Sequence, residues 1–260
     1  MLRFGMPTLI ELPEIEDCAK LCCELGLQFI ELNMNLPQYQ PETIDTDKLL
    51  QIAKEYGIYY TIHLDENFNP CDYNSLVADA YLQTMTKTIE IAKKLSAPVI
   101  NMHMADGVWF TMPDRKIYLF DEYNDYYMEK QAAFKDLCEK EIGNSNVKIC
   151  IENAHICSDY LNNAIELLLT NAIFRLTFDI GHNASADYTH EPMIMKHKDK
   201  LCHFHFHDAI GRKNHLALGT GEIDLPKYLA LAKETNSRIV HETKTIDGLK
   251  QSVEWIKNKA

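Results

Sequence analysis

The chain has 260 residues, 46% hydrophobic and 25% charged, the composition of a folded globular protein rather than a disordered or fibrous one. A formal charge of −12 argues against broad contact with nucleic-acid phosphates, and no apolar run is long enough to span a bilayer. The opening MLRFGMPTLIELPEIED carries acidic residues where a signal peptide is apolar, so the expectation is a cytoplasmic protein whose eight cysteines are reduced thiols without disulfides.

Short β-branched or aromatic runs fall at 2–6, 28–32, 58–63, 98–103, 147–152, 174–179, 201–206 and 238–242. Amphipathic segments follow them near 13–25, 46–56, 75–96, 123–141, 158–170, 190–199, 225–236 and 246–257. The third shows the helical period in Leu76, Ala80, Met85, Ile89 and Ala92. Gly26 and Gly57 stand where the first two helices stop, and Asp224 with Pro226 opens the seventh. Strict alternation of strand and helix predicts parallel strands joined by crossovers. Eight units averaging about 32 residues (260/8) predict an α/β fold, a single (β/α)8 TIM barrel, in one domain over 1–260. An open doubly wound sheet does not require eight equal units, and no GxGxxG follows the first strand.

The active site of such a barrel collects at the carboxyl ends of its strands. Here Glu31, His63, His103, Glu152, Asp179, His205 or His207, and Glu242 end seven of the eight. All are residues able to bind a metal, and several carboxylates among apolar neighbours, as in ICIEN and LTFDIGH, demand a compensating cation. Glu, Asp and neutral His together suit a divalent ion of the Mn²⁺, Co²⁺, Mg²⁺ or Zn²⁺ type rather than Ca²⁺. In CHFHFHD the alternation puts His203, His205 and His207 on one face and Phe204 and Phe206 on the other. Same-face positions are about 6–7 Å apart, so one ion is not shared by all three imidazoles. Either His205 or His207 can then hold the ion; with His205 as the ligand, His203 lies beneath it and His207 at the mouth beside substrate.

Two further segments bear on a site. Gly219 and Gly221 in GTGE would let backbone amides approach a phosphate or hydroxyl, but an ordinary tight loop is the favoured reading of two glycines. The stretch ADGVWFTMPDRKIYLFDEYND, inserted after the fourth strand, has the length of a lid. Trp109 and Phe110 would cover a sugar's apolar face, and Arg115 or Lys116 would meet an anion. The competing reading is a clasp over a second copy in a homo-oligomer. His155, His190, His197 and His241 lack comparable spacing and read as surface or packing residues.

GLQFIEL, IEN, FDIGH, HFHD with LGTGEID, and the final HE, in this order over most of the chain, resemble the xylose isomerase-like barrel superfamily. That group includes sugar and sugar-phosphate isomerases and epimerases and the endonuclease IV-type abasic-site nucleases. The resemblance implies a metal ion held by Glu152, Asp179, His205 and Glu242, with His205 preferred because a family ligand stands three residues before an acidic residue, here Asp208. Its endonuclease branch uses three zinc ions, and His63, His103, His182 and His215 match the extra histidines as a second metal set, but two departures from that branch leave one or two ions per chain. Lys213, however, stands where that branch has an aspartate, and PTLIELPE replaces its DNA-penetrating loop.

The expected function is thus a metal-dependent isomerase or epimerase of a sugar or sugar phosphate, working through an enediolate. Glu152 and Glu242 would exchange protons on carbon, while His63, His103, His182, His207 and Trp109 would contact substrate. A zinc phosphodiesterase acting on abasic DNA is the runner-up. A non-catalytic sugar- or metal-binding barrel is the third reading.

Overall fold

In the computed structural model, which describes residues 2–154 and 158–259, the eight expected strands close into one ring. They are β1 (Arg3–Pro7), β2 (Phe29–Asn33), β3 (Tyr59–His63), β4 (Val99–His103), β7 (Lys148–Glu152), β8 (Phe174–Asp179), β9 (Leu201–Phe206) and β12 (Arg238–His241). Every neighbouring pair is parallel, and β12 pairs with β1 to complete the barrel. The fold is a TIM barrel. His155 lies outside the described residues.

The crossovers run through α1 (Ile15–Leu25), α2 (Thr46–Tyr56), α3 (Ser75–Leu95), α5 (Asn124–Ile142), α6 (Asp159–Leu169), α8 (Glu191–Lys196), α9 (Leu225–Glu234) and α10 (Ile246–Lys259). Their ends follow from local chemistry. Asp45 accepts from the amides of Asp47 and Lys48, Asn74 from Leu76 and Asp224 from Lys227, and each satisfies a donor that the first turn leaves open. Gly26 and Gly57 close α1 and α2 in the left-handed conformation.

Each strand divides its side chains between two layers. Phe204 and Phe206 of β9 face outward, are fully buried and meet edge-on, and Phe204 also meets Phe178, which packs edge-on against Tyr228 of α9. Burying a side chain of this size contributes about 1.5–3 kcal/mol. The opposite face carries the polar set, Glu31, Thr61, Asn101, Glu152, Thr177, His203 and His205, all buried inside the ring. Among the described residues no helix is long and apolar enough to cross a membrane.

Elements beyond the eight units sit at the carboxyl end of the barrel. The insertion after β4 folds as an antiparallel hairpin, β5 (Trp109–Thr111) with β6 (Lys116–Tyr118), followed by α4 (Leu119–Glu122). After β8 comes α7 (Ile180–Ser185), and after β9 a second hairpin, β10 (Asp208–Ile210) with β11 (Lys213–Leu216). None of these reads as a period in the sequence, because each is too short to repeat one.

Candidate metal centre

Four side chains converge at the ends of β7, β8, β9 and β12. Glu152, Asp179, His205 and Glu242 each offer one donor atom, and these atoms lie within 4.8 Å of one another. His205 Nδ1 is their hub, 3.0 Å from Glu242 Oε2, 3.2 Å from Glu152 Oε2 and 3.8 Å from Asp179 Oδ2. Two metal–ligand bonds of about 2.0–2.2 Å span at most about 4.4 Å, so a divalent ion needs only a small inward adjustment of this set.

Unsatisfied atoms test the fit. His205 Nδ1, Glu242 Oε2 and His182 Nδ1 are buried and make no well-formed hydrogen bond, although all three border the same space. Burial opposes charge on Glu152, yet the imidazoles of His205 and His103 outweigh it and hold the carboxyl well below its usual range. Glu242 is likewise held well below by His205 and Lys244 against burial, and Asp179 is lowered by His182 and His207. His205 is the counterpart: burial opposes its proton, but Glu152, Glu31 and Glu242 raise it well above the usual histidine value. Three ionised carboxylates thus demand positive charge at one point, and the residues present fit a divalent cation there.

Support for the four extends one shell outward. His205 Nε2 stands 2.9 Å from Glu31 Oε1, while Glu31 Oε2 accepts from Thr61 Oγ1 and meets His203 Nε2 at 2.9 Å. Glu31 therefore anchors the far side of the His205 ring and turns Nδ1 toward the carboxylates, the arrangement that fixes metal-binding imidazoles. Thr177 donates to Asn101, and Asn101 donates to Glu152 Oε2. Asn153 joins two strand ends, accepting from the Asp179 amide at 2.8 Å and donating to the Asp179 carbonyl at 2.9 Å.

His207 differs from its expected place at the mouth. Its Nδ1 accepts from the His215 amide at 2.8 Å and its Nε2 contacts Asp179 Oδ2 at 2.9 Å, so both nitrogens of this buried ring meet protein atoms. Gly181 permits this, since a Cβ there would stand 2.0 Å from the His207 ring. Asp179 Oδ1 meanwhile accepts from the His182 amide at 2.6 Å and caps α7.

The other histidines divide into two groups. His63 Nε2 and His103 Nε2 approach Glu152 Oε2 at 3.4 and 3.2 Å. On the opposite side His182, His207 and His215 bring one nitrogen each within 4.8 Å. The sequence-expected second set, His63, His103, His182 and His215, is therefore split across the Glu152 carboxylate rather than gathered at one point. Between them opens a cavity of about 250 Å³ lined by Asn33, His63, Glu66, His103, His182, His215, Glu242 and Lys244, among others. Trp109 is outside this lining and packs on Tyr118 with the Lys116 ammonium over its ring.

The glycine-rich segment is engaged elsewhere. Amides of Gly219, Gly221 and Ile223 donate to the Asp208 carboxylate, with the Ala209 amide as a fourth. They are not aimed at a ligand. Lys213 is exposed on β11. His190 lies buried beside Asn153, His197 contacts Glu166, and His241 stacks on Phe4, as packing residues do.

Comparison with known proteins agrees with this architecture. No curated protein matches the chain in sequence. Among solved structures, a D-tagatose 3-epimerase-like protein superposes with a TM-score of 0.80 at 20% identity, over 99% of this chain and 96% of its own. The D-allulose 3-epimerase of Methylomonas sp., solved with D-allulose, gives 0.75 at 14% over 100% and 97%. A 3-keto-D-glucoside 4-epimerase from E. coli gives 0.77 at 13% over 99% and 100%. Such identities speak for the fold alone. The family model for xylose isomerase-like TIM barrels matches residues 19–259, and the chain belongs to that family.

Proposed function

We propose that this protein is a divalent-metal-dependent epimerase or isomerase of a ketose. The observation that carries the reading is the pair Glu152 and Glu242, which reach one His205 nitrogen from two strands separated by β8 and β9. A divalent ion among the four ligands would polarise the substrate carbonyl and stabilise charge on its oxygens.

Glu242 lines the cavity, and each glutamate has a second oxygen turned away from His205 Nδ1. Glu152 Oε1 lies 3.3 Å from His182 Nδ1, and Glu242 Oε1 accepts from Lys244 Nζ at 2.9 Å. Both carboxylates are held ionised, so either can take a proton from the carbon beside the carbonyl. Removal by one and return by the other inverts that carbon, whereas one glutamate working alone moves the carbonyl. His63, His103 and His182 line the cavity and orient hydroxyls.

The cavity is smaller than the about 300–1,000 Å³ that drug-sized ligands occupy, which suits one monosaccharide. Among the described lining residues the only lysine, Lys244, is already paired with Glu242, and Glu66 adds negative charge. This favours an unphosphorylated sugar over a sugar phosphate. Ketoses named with the structural neighbours, D-allulose and D-tagatose, point the same way.

One observation favours the nuclease reading, namely the three imidazoles of His182, His207 and His215, where further ions would sit. Against it stand a charge of −12 and the exposed Lys213. Incubating the Mn²⁺-loaded protein with a panel of ketoses in deuterated water tests the proposal by proton NMR. Deuterium entering at the carbon beside the carbonyl, lost in Asp179→Asn, is expected. Abasic-site incision without such exchange overturns the ranking.

A further inference from the structure

Two cysteines that the proposed reaction does not use meet inside the barrel on the side away from the metal centre. Cys150 Sγ and Cys202 Sγ are 3.1 Å apart, closer than two non-bonded sulfurs usually rest. Cys150 points inward because it is two residues before Glu152 on β7. Strict alternation would send Cys202 outward with Phe204 and Phe206. A bulge prevents this: Leu176 pairs with Leu201 and Thr177 with His203, so β9 carries one extra residue, Cys202, at that step. Bulges re-aim a side chain in this way.

The surroundings are cationic. Lys148, Arg175, Arg238 and Arg3 stand at the starts of β7, β8, β12 and β1, and the first three act electrostatically on Cys202. Arg238 Nε is buried without a hydrogen-bond partner. Cys150 is fully buried, whereas Cys202 is partly exposed. Contact with Cys150 and these cations lowers the Cys202 thiol despite burial, while Cys18, Cys22, Cys71 and Cys138 are all raised by burial. A half-buried cysteine among cations, with a second sulfur in contact, is the arrangement of an attacking and a resolving thiol.

We propose that Cys202 and Cys150 form a thiol–disulfide exchange site at the amino-terminal end of the barrel, taking a small anionic disulfide as oxidant. The Cys202 thiolate attacks one sulfur of the oxidant, breaks its S–S bond and releases the first small thiol, which takes up the Cys202 proton. Cys150 then attacks the Cys202 sulfur of the mixed disulfide and expels the second small thiol, which carries away the Cys150 proton. Two protein thiols lose two electrons in total, and one small disulfide becomes two thiols. The bond draws β7 and β9 together beneath Glu152 and His205.

The test incubates reduced full-length protein with oxidised glutathione, quenches with an alkylating reagent and maps the peptides by mass. A Cys150–Cys202 disulfide is expected in the wild type, forming about tenfold faster than the adduct on exposed Cys23, which serves as internal control. Cys150→Ser should trap a glutathione adduct on Cys202, and Cys202→Ser should leave Cys150 unmodified. Cystamine, a cationic disulfide, should react more slowly than oxidised glutathione. Modification of Cys23 with both Cys150 and Cys202 still free in the wild type overturns the proposal, without recourse to either variant. Equal rates with cystamine overturn the choice of an anionic oxidant.

Discussion

At the scale of single residues, the centre depends on a carboxylate that need not touch the ion. Glu31 faces His205 Nε2 at 2.9 Å and His203 Nε2 at the same distance, and its own charge is kept by those two rings against full burial. Replacing it by Gln keeps the volume and removes the charge that orients both imidazoles. Glu31→Gln should weaken Mn²⁺ binding about 10–100-fold with the fold intact, read by metal titration alongside circular dichroism. Unchanged affinity would mean that packing alone sets the His205 ring. The sequence marks Glu31 as one more strand-end acid, but its partner is 172 residues away and no local period reveals such a contact. The spacing likewise does not disclose what His207 touches, because the His215 amide that donates to its Nδ1 belongs to a hairpin the pattern does not announce.

Among elements, the eight barrel strands were readable as short β-branched or aromatic runs and their helices from the three- and four-residue spacing. The irregular pieces were not. Cys202 shows why: alternation assigns it to the outer face, and only the pairing of β9 with β8 discloses the extra residue that turns it inward. The loop after β11 is a second case. Its glycines suggest an anion cradle, yet the anion is the protein's own Asp208, which accepts from four backbone amides. A Cβ at Gly221 would stand 2.3 Å from Asp208 Oδ1, so close approach, rather than a ligand, calls for glycine there. Asp208→Ala removes the acceptor shared by four amides of a partly exposed turn and should destabilise the protein by about 1–3 kcal/mol, measured as a shift in the denaturant midpoint. A loss below about 0.5 kcal/mol would contradict the role assigned to this carboxylate.

For the whole molecule, charge at the centre couples metal, proton and stability. In metal-free protein, His205 and His63 are raised above the ordinary histidine value, and His182 to about 9, their carboxylate partners outweighing burial. A raised histidine contributes stability fully present below its unfolded pKa of about 6.5 and lost as pH rises through the folded value. Glu31, Glu152, Asp179 and Glu242 are lowered, so their contribution is present above about pH 4–4.5 and lost as pH falls through the folded values. Metal-free protein should therefore weaken as pH rises from about 6.5 toward 9, while burial holds His203, His215 and His241 below the ordinary histidine value and so opposes any gain below about pH 6.5. An ion replaces the proton on His205, so its stabilising effect should grow with pH. Thermal scans with and without Mn²⁺ should show a larger Tm difference at about pH 8.5 than at about pH 6. An equal or smaller difference would mean that the ion does not compete with that proton.

The assignment of His205 as the hub of the centre is tested most directly by titrating wild-type protein and His205→Ala with Mn²⁺ under identical conditions, following free ion by electron paramagnetic resonance. Saturation of a tight site in the wild type, with at least a hundredfold weaker binding at that site in the folded variant, is the predicted result; such a ratio corresponds to about 2.7 kcal/mol. A folded His205→Ala protein that still binds Mn²⁺ at wild-type affinity would contradict it and place the ion elsewhere, with His182, His207 and His215 the next candidates.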